Sequence, residues 1–171
     1  MRHSLPVFIL LSLCVLQVFP ALAETEAVFS PERSIKEILL KECESVASTM
    51  EVAVREITSP DMANVLLKAK GRGVKVRVIA DSKQAKMKSS QITYLINQGI
   101  PVKVLRGKDY GMMNHRFVIL DGKKVVTGSF DWSEASEKWN YENILIISDP
   151  EAVASYQKEF DRLWREKRVI H

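Results

Sequence analysis

The sequence predicts an α/β fold, one sheet with helices packed on its faces, formed by a single domain behind an N-terminal export signal. Strand-like apolar runs alternate with helix signals along the chain, and helix starts recur with one capping device. The 171 residues, 46% apolar and 27% charged with 7 Gly and 6 Pro, have the composition of a globular protein. No internal repeat or low-complexity tract is visible, which excludes collagenous, solenoid and largely disordered classes.

Residues 1–23 read as a signal peptide. Arg2 and His3 precede an apolar run from Leu5 to Phe19, and Ala21, Leu22 and Ala23 supply the small residues of a cleavage site. The run is short for a membrane span. An uncleaved anchor and lipid attachment at Cys14 are the alternatives, the second opposed by Leu13, where a lipoprotein signal needs a small residue. The mature domain is then 24–171, exported to the periplasm or secreted, and long enough to bury a core without disulfides or metals. Its single cysteine, Cys43, shares a helical face with Ile35 and Leu39 and reads as a buried thiol, with a disulfide between two chains as the alternative.

Helix starts are expected at Ser30-Pro31-Glu32, Ser59-Pro60-Asp61 and Asp149-Pro150-Glu151, where a capping oxygen, a proline and an acid follow one another. The second helix should end near Gly71, and Gly71-Arg72-Gly73 reads as its cap rather than a P-loop, because the following Lys-Ser/Thr is missing. A short helix fits Ser90 to Gln98. The last carries Val153, Tyr156, Phe160 and Leu163 at helical spacing, with Lys167 and Arg168 near its end. Strands are expected at Met50–Val54, Val74–Ala80, Val102–Leu105, Arg116–Leu120, Val125–Thr127 and Ile144–Ile147.

Charge is uneven although the total is only +4. Between Lys68 and Lys108 lie eleven basic residues against the single acid Asp81. A basic segment on an otherwise acidic body fits a polyanionic partner such as nucleic acid or an anionic lipid surface; a solvated lysine-rich face is the plainer reading. Trp132, Trp139 and Tyr141 cluster in what reads as a loop, as stacking platforms or as caps on the core or a subunit interface.

The segment NHRFVILDGKKVVTGSFDW, from Asn114 to Trp132, resembles the H-x-K-x4-D-x6-G-S-x-N signature of the phospholipase D superfamily, in particular its small bacterial endonuclease branch with one motif per chain. Asn114 stands at the histidine, Arg116 at the lysine, Asp121 at the aspartate, Gly128 and Ser129 at the Gly-Ser pair, Asp131 at the asparagine, and Glu142 at a downstream glutamate. The segments from Thr58 to Asp81 and from Leu95 to Val104 resemble the same branch. The resemblance implies a phospholipase D-like mixed sheet flanked by helices. It also implies phosphodiester hydrolysis of DNA, RNA or phospholipid through a phosphohistidine without a metal or other cofactor, and a homodimer whose two motifs share one pocket.

By the same resemblance Asn114, Arg116, Asp121, Ser129, Asp131 and Glu142 are candidate catalytic residues, with Arg116 and Ser129 on the phosphate, and His115, one residue along from the nucleophile position, joins them as a substitute. An amide at 114 cannot act as the nucleophile, whereas an imidazole can. His115 is the nearest substitute, yet along a strand it points away from the side of Asn114 and Arg116 unless a bulge intervenes; His171 is the other mature histidine. Arg116 keeps a charge suited to phosphate oxygens, and Asp131 repels phosphate unless Arg116 pairs with it. Asp121 before Gly122 is also the commonest way to turn one strand into the next, and Ser129 and Glu142 taken singly read as a turn serine and a surface acid. Three readings follow: a hydrolase, a phosphate-binding dimer without catalysis, and a structural interaction protein.

Overall fold

The computed structural model describes residues 24–166. The expected signal peptide, Cys14, Lys167, Arg168 and His171 lie outside them. Seven strands form one mixed sheet in the order β1-β7-β6-β5-β2-β3-β4. They are β1 Thr25–Phe29, β2 Thr49–Val54, β3 Lys75–Asp81, β4 Val102–Leu105, β5 Arg116–Leu120, β6 Lys124–Gly128 and β7 Asn143–Ile147. Strands β2, β3 and β4 are parallel, while β5, β6, β7 and β1 add antiparallel to one side. The helices are α1 Ile35–Glu44, α2 Pro60–Gly71, α3 Ile92–Asn97, α4 Glu134–Lys138 and α5 Pro150–Arg165. No helix among the described residues is long and apolar enough to cross a membrane.

The sheet is buried on both faces, so its central strands are nearly continuous apolar runs. One face packs Val52, Val54, Val78, Val118 and Leu120 against Ile35, Leu39, Cys43, Met62 and Leu66 of α1 and α2. The other packs Ala53, Ile79, Phe117, Ile119 and Val125 against Val153, Phe160 and Leu163 of α5. Residues of β5 alternate between these faces, and the alternation continues into the preceding segment. His115 shares the α5 side with Phe117, its ring centroid 5.5 Å from that of Phe117. Cys43 is fully buried and unpaired, and burial pushes its thiol up to about 12.

Three elements differ from the sequence expectations. The first helix starts at Ile35, not after Ser30, because Ser34 supplies the cap and accepts from the Glu37 amide at 3.3 Å. The Ser30 hydroxyl instead donates to the Asn140 carbonyl at 3.2 Å. Strand β1 carries no clear alternation, being an edge strand with Val28 as its one buried residue. Helix α4 has only five residues, too few for a periodic pattern, and is held by the Ser133 cap. Helix α2 starts at Pro60 as expected, but Ser59 precedes it without the expected side-chain cap hydrogen bond; its far end follows the glycine signal, with Gly73 at φ +89° just past it, and at the start of α5 the Asp149 carboxylate accepts from the Ala152 amide at 2.8 Å.

Candidate phosphate site at the carboxyl ends of the parallel strands

Strand β5 runs against β2, so its first residue, Arg116, lies beside Val54 at the carboxyl end of β2. The chain leaves β2 through Arg55 and Glu56. A parallel bridge between Ile57 and Trp132, with the Thr58 and Ser59 amides donating to the Trp132 carbonyl at 2.9 and 3.0 Å, ties this exit to the segment after β6. That tie brings Arg55 to Asp131. The Asp131 carboxylate, 4% exposed, accepts from Arg55 Nη2 at 2.6 Å, Arg55 Nε at 3.0 Å and Arg116 Nη2 at 3.0 Å. Two guanidiniums thus share one carboxylate. Arg116 Nε and Asp131 Oδ1 lie 2.9 Å apart, close enough to pair as charges but without hydrogen-bond alignment, and both atoms are sealed from solvent.

Arg55 Nη2 also donates to Glu56 at 2.8 Å. Burial raises the Glu56 carboxyl above its ordinary value, and the nearby Arg55 only partly offsets this. Behind the pair, the fully buried Asp81 accepts from the Met113 amide at 3.0 Å, fixing the backbone immediately before Asn114. Its own amide donates to the Arg55 carbonyl at 3.2 Å. Asp81 therefore positions both arms of the clamp.

Ser129 and Glu142 form a second hydrogen-bonded group. The Ser129 hydroxyl donates to Glu142, whose other oxygen accepts from Asn140 Nδ2 at 2.9 Å, and the Asn143 amide donates to Ser129 Oγ at 3.1 Å. Gly128 is required here. A Cβ would stand 2.1 Å from the Asn143 carbonyl oxygen of the neighbouring strand, a backbone contact that cannot relax.

His115 is placed apart from these groups. Its Nε2 lies 3.1 Å from Glu159 Oε1 on α5, and Glu159 is held in turn by Arg162, which with His115 lowers its carboxyl. Asn114, His115, Arg116, Tyr156 and Glu159 nevertheless line one open cavity of about 410 Å3. The Asn114 amide makes no hydrogen bond among the described residues. Asp121 is not brought to the site. It lies at the other end of β5, where its carboxylate accepts from the Ala47, Ser48 and Thr49 amides and the Ser48 hydroxyl at 2.7 to 3.0 Å. Burial pushes its carboxyl up, but those four donors outweigh it and hold the group well below the carboxylate range. Among the described residues no group of three or more His, Cys, Asp or Glu is arranged to hold a metal ion.

Sequence reasoning missed Arg55, Glu56 and Glu159. The available signal for the first two was a charged pair ending the apolar run Met50–Val54, at the carboxyl end of a parallel strand where open α/β sheets place their ligands.

Residues 38–164 match the family of cardiolipin synthase, phospholipase D-like domains. The chain belongs to the phospholipase D superfamily. It is similar to the mitochondrial cardiolipin hydrolase of Chlamydomonas reinhardtii, 38% identical over 120 residues that cover 70% of this chain and 53% of the relative. The Xenopus laevis protein of that name is 41% identical over 118 residues, 69% of this chain and 55% of the relative. The chain spans about half the length of these curated relatives. Among solved structures it resembles Nuc of Salmonella typhimurium, a phospholipase D family member, with a TM-score of 0.78 and 26% identity over 87% of this chain and 99% of that one. NucT from Helicobacter pylori gives a TM-score of 0.75 and 27% identity, covering 83% and 96%.

Proposed function

We propose that this superfamily member recognises phosphodiesters through Arg55 and Arg116 and does so without a nucleophile at position 114. The observation that carries the reading is the shared carboxylate. Asp131 stands where the signature has a neutral donor, and two guanidiniums answer its charge; Glu56 shares Arg55 with it, and burial raises the Glu56 carboxyl, so the cluster is positive whenever Glu56 holds a proton. Arg116 also donates from Nη1 to the exposed Asn114 carbonyl at 3.3 Å, the contact an arriving anion would replace while Asp131 keeps its hold on Nη2. Phosphodiester as the ligand class comes from the relatives, whose printed names are cardiolipin hydrolase and phospholipase D.

The same reading includes a homodimer, because each chain carries one motif and a twofold would bring two Arg116 side chains together. It also includes export, on the leader-like first 23 residues. A second reading is hydrolysis through His115, favoured by its carboxylate partner Glu159 and by the cavity it shares with Asn114 and Arg116.

The test incubates residues 24–171 with bis(p-nitrophenyl) phosphate, plasmid DNA and phospholipid vesicles beside a His115→Ala variant, with sedimentation to read the oligomer. Binding that weakens with salt and with Arg116→Ala, without turnover, is the expected result. Turnover that disappears in His115→Ala would replace this reading with the second. A monomer at high concentration would remove the dimer.

A further inference from the structure

We propose that the cavity between the carboxyl ends of β3 and β4 and the loop 107–111 is a second anion subsite. It takes a second phosphate of a ligand whose first phosphate sits at Arg55 and Arg116, and so rests on the function proposed above. The cavity has a volume of about 230 Å3 and is lined by Ser82, Lys83, Lys86, Arg106, Asp109 and Tyr110.

Four cations of the basic segment are taken up by contacts within the fold. Lys70 donates to the Gln98 carbonyl at 2.6 Å, Arg72 to the Cys43 and Val46 carbonyls, and Lys103 to the Trp164 carbonyl. Arg77 pairs with Glu51 and Asp161 and lies over the Phe160 and Trp164 rings at 5.0 and 5.1 Å. These four cations tether the fold. Lys83, Lys86 and Arg106 differ: among the described residues their side chains make no hydrogen bond or ion pair, yet they converge on one concave site that holds a single acid, Asp109. With Asp109 the lining keeps a net charge of +2, and a concave surface of one sign attracts an anion.

The walls are built rather than loose. Arg106 and Met112 form an antiparallel bridge, and the Gly111 amide donates to the Lys108 carbonyl at 2.8 Å. Backbone lies so close at Gly107 and Gly111 that a Cβ would approach it to 2.8 and 2.9 Å. The floor residue Ser82 is anchored by its amide on the Leu105 carbonyl at 2.7 Å, and its hydroxyl has no partner among the described residues. Tyr110, 97% exposed, stands at the mouth.

The cavity and the clamp flank the same residue. Asp81 pairs in register with Leu105, its amide contacts the Arg55 carbonyl, and its carboxylate holds Met113 ahead of Asn114. Arg55 follows β2 and Arg106 follows β4 with β3 between them, about two strand spacings of roughly 5 Å each, so a ligand reaching both needs two phosphates within side-chain reach of those ends. An O–C–C–C–O bridge supplies this in two sources, adjacent phosphates of a nucleic acid strand and the two phosphates of a diphosphatidylglycerol headgroup.

Calorimetry on residues 24–171 would compare a thymidine dinucleotide with the trinucleotide, and glycerophosphoglycerol with bis(glycerophospho)glycerol, so that each pair differs by one phosphodiester. The two-phosphate member is expected to bind at least about tenfold tighter in one or both pairs. Lys83→Ala with Arg106→Ala should reduce that ratio to about one while leaving one-phosphate affinity unchanged. Lys75→Ala with Lys88→Ala, which removes the same charge elsewhere, should leave the ratio intact. A ratio near one in the wild type, or a ratio that survives the Lys83 and Arg106 changes or falls equally in the control, overturns the subsite. If the one-phosphate ligands still bind and depend on Arg116, only the subsite has failed; if nothing binds, the clamp has failed with it.

Discussion

The two ends of β5 hold two halves of one motif, and the halves have different chemistry. At the Asp121 end the signature residue is present and accepts four hydrogen bonds from residues 47–49, which lock the start of β2 against the β5–β6 turn. At the Arg116 end, five strand residues away, Asn114, Arg116 and Asp131 all depart from the signature, and Arg55 and Glu56 join them in one charged network. Residues that hold strands in register are answerable to the whole fold. At the Arg116 end the departures answer one another: the carboxylate at 131 is met by the guanidiniums of Arg55 and Arg116.

The largest expected effect breaks the structural half. Asp121→Ala removes a charged acceptor from three amides and a hydroxyl, and it places alanine at φ +53°, a left-handed conformation that suits Asp or Asn. The expected loss is about 3 kcal/mol in urea unfolding. Asp121→Asn should lose less, because it keeps an acceptor and tolerates that backbone. Unchanged phosphate affinity in either folded variant would show that the two ends are independent; a loss of affinity out of proportion to unfolding would show that they are coupled.

The next effect separates stability from binding at the other end. Asp131→Ala takes the shared carboxylate from Arg55 and Arg116, whose side chains retain 26% and 20% exposure and can reach water. The expected cost is therefore about 1–2 kcal/mol, below that of a fully buried pair. Affinity for bis(p-nitrophenyl) phosphate should move the opposite way, rising about fivefold, which is roughly 1 kcal/mol, as two guanidiniums lose their internal anion. Stability and affinity falling together would mean that Asp131 orients the arginines for the ligand rather than competing with it.

The parts of this molecule readable from its sequence are those that long segments repeat. The apolar runs of β2, β3 and β5 and the proline-marked starts of α2 and α5 each offered several residues agreeing on one element. Spacing alone set Ser129 near Glu142. Arg55 was not readable in that way, because its partner Asp131 lies 76 positions away and is brought close by the bridge between Ile57 and Trp132, which no local pattern encodes. Nor was the division of labour within the basic segment. Arg77 and Lys83 look alike in sequence, but one lies beside α5 and the other beside an open cavity. The aromatics divide likewise: Trp132 is buried beside Phe130, whereas Trp139 and Tyr141 are 79% and 89% exposed.

The smallest effect is a difference of sign with pH. Asp121 has a folded value below its ordinary 3.8, so its stabilisation is complete above that pH and is lost as the pH falls through the lowered value. Glu56 has a folded value above its ordinary 4.5, so its stabilisation is complete below 4.5 and is lost as the pH rises through the raised value. Glu56→Gln should accordingly gain stability over the wild type at neutral pH, by under about 1 kcal/mol since the group is partly solvated, with the gain vanishing toward pH 4. Asp121→Asn should show a deficit at neutral pH that narrows as the solution becomes acidic. Urea midpoints measured across this range for the three proteins would test both signs at once. A Glu56→Gln variant that is less stable at every pH would mean that the Arg55–Glu56 pair, rather than burial of the carboxylate, sets the balance at this end of the sheet.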